Sequence, residues 1–155
     1  MTDYRLLSEQ LRQLIAGVPH FTANLSNVSA LLFGALPDLN WAGFYLREGD
    51  RLILGPFQGK PACIEIPMGK GVCGTAAVSE TTQLVPDVHA FPGHIACDSE
   101  SASELVVPIV VSGRCVGVLD LDSPTPGRFG ECDAAGCRAL VSVLTEEIGD
   151  QFPVS

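Results

Sequence analysis

One stretch decides the fold: Leu105-Val106-Val107-Pro108-Ile109-Val110-Val111-Ser112-Gly113-Arg114-Cys115-Val116-Gly117-Val118-Leu119-Asp120-Leu121-Asp122. Two runs rich in valine and leucine flank a short turn with glycine at its centre, which is typical of a β-hairpin. Side chains alternate between the two faces of a strand, so the second run divides into two sets. We expect Val116, Val118, Asp120 and Asp122 on one face, and Cys115, Gly117, Leu119 and Leu121 on the other.

Elements of both kinds are predicted around this hairpin. Apolar residues at helical spacing indicate helices over residues 4–18 and 22–35 and a last helix that begins near Gly130. A second hairpin is predicted around Glu48-Gly49-Asp50. We therefore predict an α+β fold, one domain over residues 1–155, in which helices pack mainly on one face of an antiparallel sheet. The remaining predictions are a strand over Cys63–Ile66, a short helix over Val72–Ser79, a strand near Gln83–Val85 and a long loop over residues 86–103.

The overall charge and hydropathy exclude several classes of partner. Nine basic and eighteen acidic residues give a net charge of −9, and such a surface repels the phosphates of nucleic acid. No apolar run approaches the ~18 residues that a membrane span requires. The residues Met1 to Arg5 lack the pattern of a secretory signal, so we expect a soluble protein of the cytoplasm.

The six cysteines are better suited to chemistry or to core packing than to a disulfide scaffold. The cytosol keeps thiols reduced, which leaves core, metal-binding and redox roles. Cys73 begins the predicted short helix, whose dipole would lower the pKa of its thiol. Cys97 follows His94 by three residues in the long loop, where it can be exposed and activated, and Cys63 is expected to sit rigidly in a strand. Three others are most simply structural, namely Cys115, Cys132 and Cys137.

A zinc site is the main alternative for the reactive cysteines. Cys63, Cys73 and Cys97 together with His94 would supply four ligands of the right type. Structural zinc sites, however, prefer cysteine pairs two to four residues apart, and the spacings of this set are much longer. We therefore predict no metal site.

Acidic residues gather at the end of the predicted hairpin that lies away from the turn. Asp120 and Asp122 are two residues apart on one strand, and Glu104 lies near Asp122 if the hairpin is in register. Three such carboxyl groups could bind an ammonium group, and mutual repulsion could keep a proton on one of them. The alternative, that the strand simply runs out into solvent, is equally compatible with the spacing.

Two further patterns have both a structural and a functional interpretation. Trp41 and Tyr45 lie four residues apart on one strand face, where they either pack in the core or enclose a small apolar or cationic group. The sequence Gly69-Lys70-Gly71-Val72-Cys73-Gly74 matches the dinucleotide-binding fingerprint, but no parallel βαβ unit surrounds it. As a helix start it could still attract an anion such as a substrate carboxylate.

Several of these strings together resemble the free methionine-(R)-sulfoxide reductases, enzymes that consist of one GAF domain. The resemblance extends from about Tyr4 to the final helix. The most specific strings are His94-Ile95-Ala96-Cys97-Asp98 and Leu119-Asp120-Leu121-Asp122-Ser123. The other matching strings are Gly55 to Cys63, Gly69 to Gly74, Asp87-Val88-His89, Phe91-Pro92-Gly93 and Ser103-Glu104.

The resemblance implies a role for each matching residue. It implies that Cys97 is the nucleophile, Cys63 the resolving cysteine and Cys73 an accessory or alternative resolving thiol. It implies that Trp41 and Tyr45 surround the methyl-sulfur end of the substrate. The acidic residues Glu104, Asp120 and Asp122 would bind the substrate, and Glu104 or Asp122 would assist protonation of its oxygen.

The implied activity is reduction of free L-methionine (R)-sulfoxide through a sulfenic acid on Cys97 and an intramolecular disulfide that thioredoxin reopens. No cofactor is implied, and a homodimer through the first and last helices is compatible with the family. The alternative is a ligand-sensing or redox-sensing GAF module without turnover, since one fold hosts many functions.

Overall fold

The computed structural model describes residues 1–94 and 100–153. Two short 3-10 helices are also present among these residues, at Val88–Ala90 and Gly149–Gln151. The main elements in chain order are α1 (Tyr4–Ile15), α2 (Phe21–Ala35), β1 (Trp41–Glu48), β2 (Arg51–Gly59), β3 (Glu65–Pro67), α3 (Gly71–Ser79), β4 (Gln83–Val85), β5 (Ser103–Val111), β6 (Arg114–Ser123) and α4 (Glu131–Ile148).

A six-stranded sheet in the order β3-β2-β1-β6-β5-β4 forms the centre of the molecule. Each strand pair in it is antiparallel. The hairpin of β5 and β6 supplies two of the inner strands, as its apolar sequence predicts for strands that are covered on both faces. The predicted α+β class and the antiparallel sheet are confirmed.

The two faces of the sheet carry two separate hydrophobic clusters. The larger cluster lies beneath α1, α2 and α4, whose buried stripes include Leu11, Leu25 and Leu140. The smaller cluster lies beneath α3, which packs on β5 and β6 and buries Val72 and Ala76. Most helices therefore cover one face, and the other face is left to a single short helix among the described elements. A sheet face covered only in part leaves room for a pocket.

The apolar stripe predicted for the last helix is buried as expected. Cys137, Leu140, Val141, Leu144 and Ile148 all face the larger cluster. The helix begins one residue after Gly130, whose backbone N–H donates to the Asp133 carboxylate at 2.8 Å. This local bond satisfies a donor at the start of the helix and fixes where α4 begins.

The contact between α1 and α4 depends on a glycine. The Tyr4 hydroxyl donates to Asp133 Oδ1 at 2.6 Å, and the Tyr4 ring lies against Gly136. A Cβ at position 136 would come within 2.2 Å of that ring, so no larger residue fits without movement of the helix or the ring. The absence of a side chain at Gly136 thus allows α1 and α4 to approach this closely.

The strict alternation predicted for β6 is wrong at its first residues. Ile109 pairs with Gly117 and Val110 with Cys115, which leaves Val116 as the extra residue of a β-bulge. The bulge reverses the expected faces, so that Cys115 joins the smaller cluster and Val116 the larger one. Beyond the bulge the alternation is as predicted, with Val118 and Asp120 on the side of α3.

Two of the differences between predicted and observed element boundaries matter for the fold and the site. α1 ends at Ile15, three residues early, because Gly17 adopts a φ of +73° and the chain turns there. The third strand covers only Glu65–Pro67, so Cys63 lies just before it in irregular backbone and not within a strand as predicted. None of the described helices is both long and apolar enough to cross a lipid bilayer.

Candidate active site

A pocket of about 50 Å³ lies on the α3 side of the sheet, at the end of the central strands remote from the β5–β6 turn. It brings together six residues that the sequence singled out on separate grounds. These are Trp41, Tyr45, Cys73, Glu104, Asp120 and Asp122. The lining also includes Pro61, Ala62, Ile66, Lys70, Gly71, Val72 and His94.

The three acidic residues form one wall because the register of the sheet aligns them. Glu104 on β5 pairs directly with Asp122 on β6, as predicted from counting outward from the turn. Asp122 also pairs with Trp41 on β1. Glu104 and Asp120 are only 7% and 5% exposed, so the alternative that this strand end runs into solvent is wrong.

Burial and crowding raise the pKa values within this wall. The pKa of Glu104 lies well above its ordinary value, first because the carboxyl group is desolvated and then because Asp120 and Asp122 lie close to it. Burial also raises the pKa of Asp120, although hydrogen bonds from Glu104, Cys73 and Asp122 oppose this. Glu104 therefore keeps a proton more readily than its neighbour, and the site can hold both an acid and a carboxylate.

The opposite wall is aromatic. The rings of Trp41 and Tyr45 stack with centroids 5.9 Å apart, and the ring of Phe57 also stacks on Trp41 at a centroid distance of 5.1 Å. Trp41 Nε1 donates to the Lys60 carbonyl at 3.1 Å, which fixes the plane of the indole. The predicted shared face is confirmed, and the two rings both pack in the cluster and border the pocket.

Cys73 is buried in the lining of the pocket, where its surroundings favour the protonated thiol. The pKa of Cys73 is raised well above the usual value by burial, and then by Asp120, Glu104 and Asp122. The prediction that the helix dipole lowers this pKa is wrong, because desolvation and three nearby carboxyl groups outweigh the helix terminus. The thiol makes a long contact of 3.9 Å to Glu104 Oε2.

Cys63 occupies a different position from the other cysteines. It is half-buried and disulfide-bonded, and its carbonyl accepts a hydrogen bond of 2.8 Å from the Tyr45 hydroxyl. This bond ties the segment that carries Cys63 to the aromatic wall. Cys97, the predicted nucleophile, lies outside the described residues.

The remaining cysteines are free and lie away from the pocket. Cys115 and Cys137 are buried, in agreement with their predicted structural roles. Cys132 is exposed at the first turn of α4 and fills no part of the core.

The glycine-rich string forms the start of α3 and one corner of the pocket. Gly69 and Gly71 have φ values of +84° and +63°, which only glycine adopts without strain. A Cβ at Gly74 would lie 2.6 Å from the Pro67 carbonyl oxygen. Because β3 and its neighbour are antiparallel, the string does not form a dinucleotide-binding βαβ unit.

Lys70 lines the pocket although the sequence analysis gave it no role of its own, and His94 lines it although the sequence analysis considered it only as a zinc ligand and as a neighbour of Cys97. Lys70 precedes α3 directly, and together with the first N–H groups of that helix it can attract an anion. Its position inside the glycine-rich string was the available signal. His94 also lines the pocket; burial, and then the nearby ring of His89, lowers its pKa and favours the neutral imidazole.

Comparison with known proteins agrees with this geometry. The GAF domain model matches residues 15–151. The free methionine-R-sulfoxide reductase of Escherichia coli is 54% identical over 141 residues, which cover 91% of this chain and 86% of that protein. The free methionine-R-sulfoxide reductase of Saccharomyces cerevisiae is 54% identical over 138 residues, which cover 84% of this chain and 77% of that protein.

A solved structure of a relative has the same fold. The Staphylococcus aureus fRMsr in complex with substrate superposes with a TM-score of 0.91 at 51% identity, covering 96% of this chain and 97% of that one. These likenesses extend over nearly the whole chain, including all the elements that line the pocket. The chain therefore belongs to the GAF-domain family of free methionine-(R)-sulfoxide reductases.

Proposed function

We propose that this protein reduces free L-methionine (R)-sulfoxide to methionine by thiol chemistry. The observation that carries the proposal is a small pocket with an acidic wall, an aromatic wall and a helix N-terminus. The names of the relatives, and the substrate complex of one of them, support the same activity.

Each wall of the pocket matches one part of the substrate. The ammonium group pairs with the buried carboxylate of Asp120, and the substrate carboxylate faces Lys70 and the start of α3. The methyl-sulfur end lies against Trp41 and Tyr45. A methionine sulfoxide within a peptide lacks both terminal charges and would leave these groups unpaired, which explains selectivity for the free amino acid.

Cys97 carries out the redox step. Its thiolate attacks the sulfur of the S=O group, and the sulfoxide oxygen is transferred to the cysteine sulfur. The sulfoxide is reduced to the thioether of methionine, and the cysteine is oxidised to a sulfenic acid. His94 precedes Cys97 by three residues and, in its neutral form, can accept the thiol proton.

A buried acid assists this step. The sulfoxide oxygen gains negative charge as its bond to sulfur breaks, so a proton donor within reach raises the rate by ~10²–10⁴-fold. Burial and the neighbouring carboxyl groups raise the pKa of Glu104 and favour its protonated form, and its cross-strand partner Asp122 lies beside it. These two residues form the donor pair in the proposed mechanism.

The cycle closes through a disulfide. The Cys63 thiol condenses with the sulfenic acid, water leaves, and a disulfide forms. Thioredoxin then reopens it by two exchange steps, after which the enzyme is a dithiol again and the reductant carries the disulfide. Cys63 is disulfide-bonded in the structure, which is the state that a resolving cysteine reaches at this point. Cys73 has an accessory role, since its protonated, buried thiol is a weak nucleophile.

The proposal places the enzyme in the cytoplasm, where thioredoxin is available, with no cofactor and no nucleic-acid partner. It includes a homodimer through α1 and α4. An acidic net charge of −9 supports the absence of nucleic-acid binding.

The test is release of methionine from racemic free methionine sulfoxide, with thioredoxin or dithiothreitol as reductant, followed by chiral analysis of what remains. We expect methionine to form until half of the substrate is consumed, with the other epimer left intact. If neither reductant gives methionine, the catalytic proposal fails and a ligand-sensing or redox-sensing module becomes the better account.

A further inference from the structure

We infer that Cys73, Glu104 and Asp120 form a binding site for one thiophilic divalent cation of the zinc class, inside the pocket. One ligand atom from each residue lies within 4.8 Å of the other two. This set differs from the zinc ligands considered from the sequence, since it contains one cysteine and two carboxylates, all from α3, β5 and β6.

The distances fit tetrahedral zinc after a small adjustment. Zinc binds sulfur at about 2.3 Å and carboxylate oxygen at about 2.0–2.2 Å, which places two such ligands roughly 3.5 Å apart. Cys73 Sγ and Glu104 Oε2 are 3.9 Å apart in the structure. Inward shifts of less than about 1 Å per ligand would therefore close the site around an ion.

A second observation points to a missing ligand. Asp120 is 5% exposed. Although hydrogen bonds from Glu104, Cys73 and Asp122 reach its carboxylate, one oxygen of that carboxylate, Oδ1, has no hydrogen-bond partner among the described residues. An unsatisfied buried carboxylate oxygen costs free energy, and a cation at this point would supply its partner. Because Asp120 lines the pocket, the unsatisfied oxygen borders the space that the ion would occupy.

The pocket has the right size for an ion. Its volume is about 50 Å³. One water needs roughly 10–15 Å³ on this measure, so the space admits a cation and a water that completes its coordination. An ion there would neutralise the carboxylates and occupy space that the proposed substrate needs.

The charge balance favours a borderline or soft metal over magnesium or calcium. Binding converts the Cys73 thiol into a metal thiolate, and the thiol proton together with the proton that Glu104 holds is released to solvent. Sulfur is a poor ligand for magnesium and calcium, which take oxygen ligands. The apparent affinity must therefore rise with pH, because protons are released as the metal enters.

Cobalt binding to the oxidised protein is the sharpest test. In that form Cys63 is withdrawn from metal binding by its disulfide, as in the structure, while Cys73 stays free. No dithiol is needed in the sample, so no reductant competes for the metal. We expect one equivalent of Co²⁺ with a thiolate-to-cobalt charge-transfer band, displaced by Zn²⁺ and not by Mg²⁺. The binding measurement does not depend on turnover, so its result is independent of whether the proposed reductase activity is found.

Matched variants identify the ligands. Cys132→Ser removes an exposed free cysteine outside the pocket, and the cobalt band should persist in this variant. Cys73→Ser should abolish the band. Asp120→Asn should keep the fold, checked by circular dichroism, and weaken binding by at least ~10²-fold, since even outer-shell changes cost ~10–100-fold. No band in the wild-type protein, or a band that survives in Cys73→Ser, would overturn the inference.

Discussion

Glu104 and Asp122 are cross-strand partners on β5 and β6, and their side chains line the same pocket. Opposite positions on neighbouring strands bring Cβ atoms within about 4.5–5.5 Å, a distance at which two carboxylates repel each other. The sheet thus holds together two groups that would separate in water, and one of them responds by keeping a proton.

Replacing Cys97, the proposed nucleophile, should remove activity without loss of the fold. Cys97→Ser leaves an alcohol that does not attack the sulfoxide sulfur, and we expect turnover to fall by on the order of 10³-fold or more. Methionine release with dithiothreitol is the measurement, and Cys132→Ser is the control because its cysteine is exposed and lies outside the pocket. Substantial activity in Cys97→Ser would assign the nucleophile to another thiol.

Cys63→Ser should affect turnover differently with the two reductants, dithiothreitol and thioredoxin. A small dithiol can reduce a sulfenic acid directly, so turnover with dithiothreitol should persist, whereas recycling by thioredoxin should be lost because no disulfide forms. Single-turnover methionine formation and steady-state rates with each reductant provide the comparison. Undiminished thioredoxin recycling would transfer the resolving role to Cys73.

Asp122→Asn should act on the chemical step more than on substrate binding. It removes one carboxylate from the donor pair, so we expect kcat to fall by ~10²-fold or more with a smaller change in KM. Steady-state kinetics on free methionine sulfoxide measure both constants. A rise in KM at unchanged kcat would contradict an acid role and leave Asp122 with substrate binding alone.

Stability should depend on pH in the direction set by Glu104. Its pKa in the folded state lies well above the ordinary value of 4.5, so the folded protein binds more protons than the unfolded chain between these two values. The free energy of unfolding must therefore fall as pH rises through this window and level off above the folded pKa. Urea unfolding from pH 4.5 upward measures this slope.

The Glu104→Gln variant isolates that contribution. It removes the titrating proton but keeps the shape of the side chain, so the slope should flatten, and stability at pH 7 should rise by about 0.5–2 kcal/mol. Activity should fall in the same variant. An unchanged slope would show that other groups control the pH dependence.

Gly136→Ala tests the contact between α1 and α4. Alanine is normally the better helix residue, but here its Cβ would meet the Tyr4 ring at 2.2 Å, so we expect a loss of about 1–3 kcal/mol. Gly34 on α2 is the matched control, since a Cβ there meets nothing within 4 Å and Gly34→Ala should be neutral or stabilising. Thermal unfolding of both variants gives the comparison, and equal effects would contradict the close packing.

The architecture and the acidic wall could be predicted because both depend on pattern. Alternation along β6 placed Asp120 and Asp122 together, and counting from the turn placed Glu104 opposite Asp122. Helical spacing placed Cys137 and Leu140 in the core. Strand alternation and helical spacing depend only on residues that are close in the sequence. A single hairpin register is then enough to bring the acidic residues of β5 and β6 together.

What could not be predicted depends on three-dimensional surroundings. The bulge at Val116 moves Cys115 to the other face, and nothing in the apolar sequence marks it. Cys73 begins a helix as predicted, but its pKa follows from burial against acids contributed by distant strands. The surroundings of Cys63 depend on where β3 begins. The three residues of that strand show too little periodicity for the sequence to locate its ends.

The hydrogen bond from Tyr45 to the carbonyl of Cys63 has a consequence for timing within the catalytic cycle. In the proposed mechanism, a substrate that presses on the aromatic wall also presses on the backbone next to the Cys63 sulfur, since the Tyr45 side chain contacts both. Departure of methionine would then relax the same contact. In the proposed mechanism, the Tyr45 ring holds the Cys63 segment in place while Cys97 reacts, which keeps the second thiol near the newly formed sulfenic acid and limits its over-oxidation.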